Sequence, residues 1–136
     1  MKHRSRQGSS TTSRLRRRSS IPKRDRTWPE EIDGLLEQAL NPDPQERRKA
    51  VHALCPCNVQ AENGRVWDRL IALATDPDVR VRADAHHTLC DGSPRSREAE
   101  IVGALERMQH DPDRKLRRRV RQLLAHYRAG GKLNIQ

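Results

Sequence analysis

One segment of this chain occurs three times, with a constant spacing of 35 residues between copies. Every copy has a proline, an aspartate, an arginine and a leucine at the same positions. The copies are NPDPQERRKAVHALC (41–55), DPDVRVRADAHHTLC (76–90) and DPDRKLRRRVRQLLA (111–125). A repeated unit of this length cannot bury its apolar residues by itself, so the pattern predicts a stack of three similar units.

Each copy is predicted to begin an α-helix, and a second helix is predicted before it. Asn41, Asp76 and Asp111 favour the N-cap position, and each precedes a proline, which suits the first helical position. One helix face of the second copy is formed by Val81, Ala85, Thr88 and Leu89. A comparable stripe before that copy is formed by Trp67, Leu70, Ile71 and Ala74. Because aromatic residues are only 2% of the chain, we expect a core of aliphatic side chains between paired helices.

The second copy also resembles a known repeat family. DPDVRVRADAHHTLC is similar to the Asp-Pro-x-x-x-Val-Arg…Ala…Leu-Gly pattern of HEAT repeats, with Val81, Arg82, Ala85 and Leu89 at the matching positions. The resemblance covers about residues 29–128. It implies an all-α fold, a short right-handed α-solenoid of three antiparallel helix pairs.

The period and the charge distribution together predict the domain boundaries. The repeats are expected at about 28–57, 58–92 and 93–129, followed by a short C-terminal tail at 130–136. Residues 1–27 carry a net charge of +9 and few apolar side chains. Such a segment cannot bury enough surface to offset the entropy lost on ordering, so we expect a disordered basic tail.

The basic tail contains a dense group of arginines. They are Arg14, Arg16, Arg17 and Arg18. A charge run of this kind suits contact with phosphate groups. A tail that only increases solubility is a second interpretation. An organelle transit peptide is a third, which the lack of an apolar helical stripe disfavours.

An acidic and a basic residue recur four positions apart in every copy. The pairs are Asp43–Arg47, Asp78–Arg82 and Asp113–Arg117. The resemblance to HEAT repeats implies that such residues form a structural ladder between stacked units, and we prefer this role to direct ligand contact. An exposed pair contributes only ~0.3–0.5 kcal/mol, so its main effect would be to set the stacking register.

The polar face of the second helices is predicted to line an inner binding surface. Its members are Arg48, His52, Arg80, His87, Lys115, Arg118 and Arg121. Residues 111–136 carry a net charge of +6, so an acidic partner is expected. An acidic protein and a nucleic acid are both compatible with this basic surface. With so few aromatic side chains to stack on bases, contacts with nucleic acid would be made mainly to phosphates.

The stretch HALCPCN (52–58) has the residue types of a zinc site. In the repeat register His52 aligns with His87 and Cys55 with Cys90, while Cys57 falls in the turn after the helix. The recurrence therefore follows from the repeat. Stacked helices lie ~8–10 Å apart, whereas zinc holds its ligands at ~2.0–2.3 Å. We predict no metal and no cofactor, although these residues leave the question of metal binding open.

These observations predict a non-catalytic HEAT-repeat scaffold that binds a protein partner, with basic ends that contact an acidic surface. One alternative is a nucleic-acid-associated protein. Another is a HEAT-like enzyme such as a DNA glycosylase or a lyase accessory subunit, but the chain has no Gly-rich phosphate loop and no H-E-x-x-H motif. No apolar run approaches the ~18 residues of a membrane span. Three cysteines, an odd number, favour reduced thiols in the cytoplasm. The oligomeric state stays open.

Overall fold

Three consecutive pairs of α-helices form the fold, in a computed structural model that describes residues 27–56, 58–59 and 63–135. The helices are α1 (Ile32–Gln38), α2 (Pro44–Ala53), α3 (Gly64–Leu73), α4 (Val79–Leu89), α5 (Glu98–Met108) and α6 (Arg114–Arg128). Single turns of 3₁₀-helix at Pro29–Glu31 and Arg95–Arg97 lead into α1 and α5. The predicted all-α solenoid of three helix pairs is confirmed.

The second helix of each pair begins two residues later than the sequence predicted. The N-cap residues are Asp43, Asp78 and Asp113, and each side chain accepts a hydrogen bond from a backbone N–H of the first turn. The predicted caps lie two positions earlier, where Oδ1 of each side chain accepts the N–H of the residue two places on. They are Asn41, Asp76 and Asp111. Each of these turns spans a proline, which has no N–H to donate. The helix therefore starts after the aspartate that follows the proline.

The core is a continuous layer of aliphatic side chains between the helix pairs. Its largest fully buried members include Leu54, Leu70, Leu89, Ile101, Leu105 and Leu124. The predicted stripe of α4 is buried as expected, because Val81, Ala85 and Leu89 are all 0% exposed. Each such side chain contributes roughly 1.5–3 kcal/mol through removal from water. Since one side chain from every helix lies in this layer, the three pairs form a single folding unit.

Helix packing is uneven along the stack. α4 packs closely on α2, and α3 packs on α4. α6 packs mainly on α5, and its contacts with α4 are sparse. Tyr127 strengthens the α5–α6 pairing, because its hydroxyl donates to Glu98 Oε1 at 3.1 Å. The third pair is therefore joined to the second chiefly through its first helix and through the loops at the helix ends.

The chain reverses sharply after α6. Gly130 has a φ of 85°, which suits glycine, and the N–H of Gly131 donates to the carbonyl of His126 at 3.0 Å. This bond pattern is a common helix C-terminal motif. The chain then returns so that Leu133 is only 2% exposed, and β2 (Asn134–Ile135) pairs in parallel with β1 (Asp91–Ser93). Part of the predicted C-terminal tail thus packs onto the repeat domain.

The N-terminal edge of the described chain is also anchored. Thr27 is 3% exposed, and its hydroxyl donates to the carbonyl of Ala53 at 2.6 Å. Its backbone N–H donates to the carbonyl of Asn58, beside a parallel bridge to Val59. Thr27, which the sequence placed at the end of the basic tail, is therefore part of the packed domain. The rest of that predicted tail lies outside the described residues.

Candidate interaction surface

Two arginines link successive repeats through paired hydrogen bonds to an aspartate. Arg47 Nε and Nη2 donate to the two carboxylate oxygens of Asp76 at 2.8 and 2.9 Å. One repeat later, Arg82 donates to Asp111 in the same way at 2.8 and 3.0 Å. The side chains of Arg82 and Asp111 are only 11% and 4% exposed. This two-point geometry matches the planar guanidinium to the carboxylate and sets the register between the helix pairs.

The acidic partners in this ladder differ from the predicted ones. The sequence paired Arg47 with Asp43 and Arg82 with Asp78, four residues earlier on the same helix. Those aspartates instead accept backbone N–H groups as helix caps. A cap residue points toward the first turn, so its carboxylate accepts backbone N–H groups there, and that of Asp78 also accepts from Arg80. The arginines extend across to the following repeat, where a buried carboxylate needs a cation more than an exposed one does.

A second link between repeats centres on Asp84 of α4. Arg48 Nε donates to Asp84 Oδ2 at 2.7 Å, and His52 Nε2 lies 3.3 Å from the same oxygen. Burial by itself would raise the pKa of Asp84, but the adjacent side chains of His52 and Arg48 outweigh it and lower the pKa. Arg48 and His52 were both predicted to contact a partner. In the structure they are committed to holding α2 against α4.

The charge pattern of α6 differs from that of the two equivalent helices. Its 15 residues include seven Lys or Arg and no acid. Five of these cations are exposed and form no ion pair with any described residue. They are Arg114, Lys115, Arg118, Arg119 and Arg121, which we call the α6 cation surface. Arg121 donates to the carbonyl of Gln109 at 2.9 Å. Because this acceptor is neutral, the charge of the Arg121 guanidinium is not compensated by it.

One of the differences in charge between α6 and α4 lies at a single position of the repeat register. Arg119 occupies the position that Asp84 occupies in α4. The acid that would pair with cations of the neighbouring helix is thus replaced by a further cation. The pKa of His86 on α4 reflects this change: burial first, and then the charges of Arg119 and His87, lower it to about 4. Repulsion between these groups is consistent with the sparse contact between α4 and α6.

The remaining predicted surface residues are distributed differently from the prediction. Arg80 pairs with its own helix cap, and hydrogen bonds from Arg80 lower the pKa of Asp78 to about 2. His87 is 73% exposed and lies 3.9 Å from Asp91. Only Lys115, Arg118 and Arg121 of the seven predicted residues belong to the α6 cation surface. The tail arginines Arg14, Arg16, Arg17 and Arg18 lie outside the described residues.

The cysteines that align in the repeat register lie in different surroundings. Cys55 is 6% exposed, and its thiol donates to Asp91 Oδ2 at 3.4 Å. Burial, and then the charge of Asp91, raise the pKa of Cys90 to about 12. Cys55 and Cys90 are not joined by a disulfide. Within the part of the chain that the structure describes, which does not include Cys57, no three His, Cys, Asp or Glu residues are grouped as a metal would require.

Comparison with known proteins identifies the repeat. The family model of HEAT repeats matches residues 32–125, which include all six helices except the last three residues of α6. The chain belongs to the HEAT-repeat family. None of the curated proteins and none of the solved structures compared with the chain matches it significantly.

Members of the HEAT-repeat family are generally scaffolds for protein interactions. Members of the HEAT-repeat family are typically non-catalytic. Over the described residues, the structure contains no helix with the length and apolarity needed to cross a bilayer.

Sequence reasoning missed three acids that organise this HEAT-repeat domain: Asp76, Asp84 and Asp111. A signal for two of them was present in the alignment. The position before the conserved proline is Asp in the second and third repeats, but Asn41 in the first. In the second and third repeats, the arginine of the preceding repeat neutralises a carboxylate at this position. The first of the three repeats has no such arginine before it among the described residues. Asp84 had no comparable signal, because the equivalent residues are Lys49 and Arg119.

Proposed function

We propose that this protein is a non-catalytic interaction module that binds an acidic surface of a protein partner through the α6 cation surface. The observation that carries the proposal is the set of five exposed cations on one helix without an acidic partner among the described residues. Elsewhere in the domain, cations such as Arg47, Arg48 and Arg82 are paired with carboxylates. Complementary charge of this kind increases the association rate and favours acidic partners.

A protein partner fits this surface better than a nucleic acid. The family generally acts through protein interactions. Tyr127, the aromatic residue of α6, has its hydroxyl engaged with Glu98 and is not displayed as a platform for bases. The exposed Trp28 lies before α1, in the first repeat rather than the third. Cys55 and Cys90 are not joined by a disulfide, which agrees with the cytoplasm as the proposed compartment.

The test compares two polyanions of matched charge on the full chain. Poly-aspartate represents an acidic protein segment, and a single-stranded DNA oligomer with the same number of charges represents nucleic acid. Binding is measured across a salt series for wild type and for Arg118→Gln/Arg121→Gln. The matched control is Arg65→Gln/Arg80→Gln, which removes the same charge from exposed, ion-paired cations of other repeats.

The proposal requires that poly-aspartate binds and that Arg118→Gln/Arg121→Gln weakens it by about tenfold, while the control changes it little. Equal weakening by both variants would show that only net charge matters. Tighter binding of the DNA oligomer, with a steep salt dependence, would favour the nucleic-acid alternative instead. Absence of binding to either probe at low salt would reject both functions.

A further inference from the structure

Three arginines at equivalent positions have their guanidinium groups anchored in the same way. In Arg47, Arg82 and Arg117, Nη1 donates to the backbone carbonyls of the residues six and five positions earlier, at 2.7–3.4 Å. The carbonyls belong to the turn that precedes each helix. Each guanidinium is therefore held in a fixed orientation before any carboxylate binds, which reduces the entropy lost on binding.

The opposite edge of the guanidinium distinguishes the last arginine from the other two. Nε and Nη2 of Arg47 and Arg82 are occupied by Asp76 and Asp111 of the next repeat. Across the described residues, the same edge of Arg117 has no acceptor. Arg117 is thus arranged like Arg47 and Arg82, each of which binds an aspartate. Its Nε and Nη2 remain available to donate to a carboxylate.

The two occupied sites, at Arg47 and Arg82, show which chemical group such an arginine binds. In Asp76 and Asp111, Oδ1 accepts the N–H of the residue two places later, at 2.9 and 2.8 Å, while it also accepts from the arginine. The recognised unit is an aspartate in an Asp-Pro-Asp turn at the start of a helix. Asn41 forms the same turn in the first repeat but lacks the charge. A second copy of this chain, stacked end to end, would therefore present an amide to Arg117.

The surface around Arg117 is more highly charged than the equivalent surface of the earlier repeats. Arg121 occupies the position of the buried Val51 and His86. Glu106 on α5 occupies the position of Leu36, which is only 9% exposed. A further repeat that stacks through aliphatic side chains would bury these charges at a high cost. An acidic, hydrogen-bonding segment of a partner fits the same surface without that cost.

We propose that Arg117 is the docking point for one aspartate of the protein partner, presented in an Asp-x-Asp turn at a helix start. This inference deepens the proposed function: the α6 cation surface attracts the acidic segment, and Arg117 selects the carboxylate geometry. Arg118 and Arg121 lie one residue and four residues further along α6. They supply the charge around the selected aspartate.

The test uses NMR on the full chain, with ¹⁵N labelling to follow the arginine Nε–Hε signals. The probe is an acetylated peptide DPDVRVRADAHHTL, identical to residues 76–89. Its matched control has asparagine in place of the first aspartate. Arg117→Lys keeps the charge but cannot donate two parallel bonds. Arg65→Lys is the control variant, because Arg65 is exposed on α3, outside both the ladder register and the α6 cation surface.

The expected result is a shift of the Arg117 Nε–Hε signal with the aspartate peptide, and about threefold to tenfold weaker binding of the asparagine peptide. Arg117→Lys should reduce binding by a similar factor, and Arg65→Lys should not. Equal affinity for the two peptides on the wild-type protein would overturn the inference, and this comparison requires no variant to fold. An unmoved Arg117 signal would do the same.

Poly-aspartate separates this inference from the broader proposal. Poly-aspartate binding that is lost in Arg118→Gln/Arg121→Gln but unchanged in Arg117→Lys would retain the proposed function and reject the role of Arg117. If poly-aspartate fails to bind but the peptide binds at Arg117, the proposed role of the α6 cation surface is rejected. The inference that Arg117 binds an aspartate is then retained.

Discussion

Arg47 of the first repeat and Asp76 of the second are joined by two hydrogen bonds, although 29 residues separate them in sequence. Their side chains are 13% and 5% exposed. The hydrogen bond to Asp76, which outweighs the effect of burial, raises the pKa of Arg47. This contact spans the boundary between two helix pairs, so it contributes to the cooperativity of the stack as well as to its register.

Asp76→Asn should lower the free energy of unfolding by about 1–2 kcal/mol, because it leaves Arg47 with one neutral acceptor in place of a carboxylate. The turn itself should survive, since Asn41 forms the same turn in the first repeat. Urea unfolding followed by circular dichroism measures the change. Asn41→Asp is the matched control, for which no gain is expected because no described arginine donates to the side chain of Asn41, although Arg47 donates to its backbone carbonyl. Equal effects of the two substitutions would show that the ladder carries no energy.

Two glycine substitutions should act in opposite directions. A Cβ on Gly131 would overlap the ring and the carbonyl oxygen of His126, so Gly131→Ala should destabilise the protein by about 1–3 kcal/mol. A Cβ on Gly34 meets nothing within 4 Å, so Gly34→Ala in α1 should stabilise by about 0.5–1 kcal/mol. Thermal unfolding measures both changes. A neutral Gly131→Ala variant would mean that the reversal after α6 is not tightly packed.

His86 should make the protein less stable in mild acid. Its pKa is about 4 in the folded chain and near 6.5 in the unfolded chain. Between these values the unfolded chain binds a proton that the folded chain does not, so stability falls as pH drops below 6.5. The loss from this residue should reach about 2 kcal/mol at pH 5.

The pH effect is measured as the difference in urea midpoint between pH 7.5 and pH 5. His86→Val, which introduces the residue found at the equivalent position of α2, should remove most of that difference. His110→Gln, at an exposed histidine, should leave it unchanged. An identical pH dependence in wild type and His86→Val would contradict the prediction.

Cys90 should react slowly with thiol reagents while the protein is folded. Burial raises the pKa of its thiol to about 12, so the reactive thiolate is scarce at neutral pH. In a Cys57→Ser background, iodoacetamide labelling at pH 8 followed by mass spectrometry should show Cys55 and Cys90 protected, and urea should expose both. Asp91→Asn, which removes the acid beside Cys90, should increase its labelling. Rapid labelling of the folded protein would show that α4 does not bury this residue as described.

The repeat and its helix pairs could be predicted from the sequence because their signals are local. The spacing of Val81, Ala85 and Leu89 on one helix face is a property of consecutive residues, and these side chains are buried as predicted. Helix starts were less predictable, because the Asp-Pro-Asp turns offer two acids that can cap. The same choice occurs in the first repeat, where Asn41 forms the turn and Asp43 caps the helix, so the local turn across the proline sets the helix start.

The sequence alone determined a stack of three helical units with a strongly basic third unit. Only the tertiary structure decided which charges remain available. Arg48 and Arg118 occupy equivalent positions in the alignment, yet Asp84 pairs with Arg48, whereas Arg118 is exposed. The physical reason is that charge pairing depends on distance and burial across repeats. A one-dimensional pattern places a cation on a face of its helix, whereas the neighbouring helix determines whether that cation is neutralised.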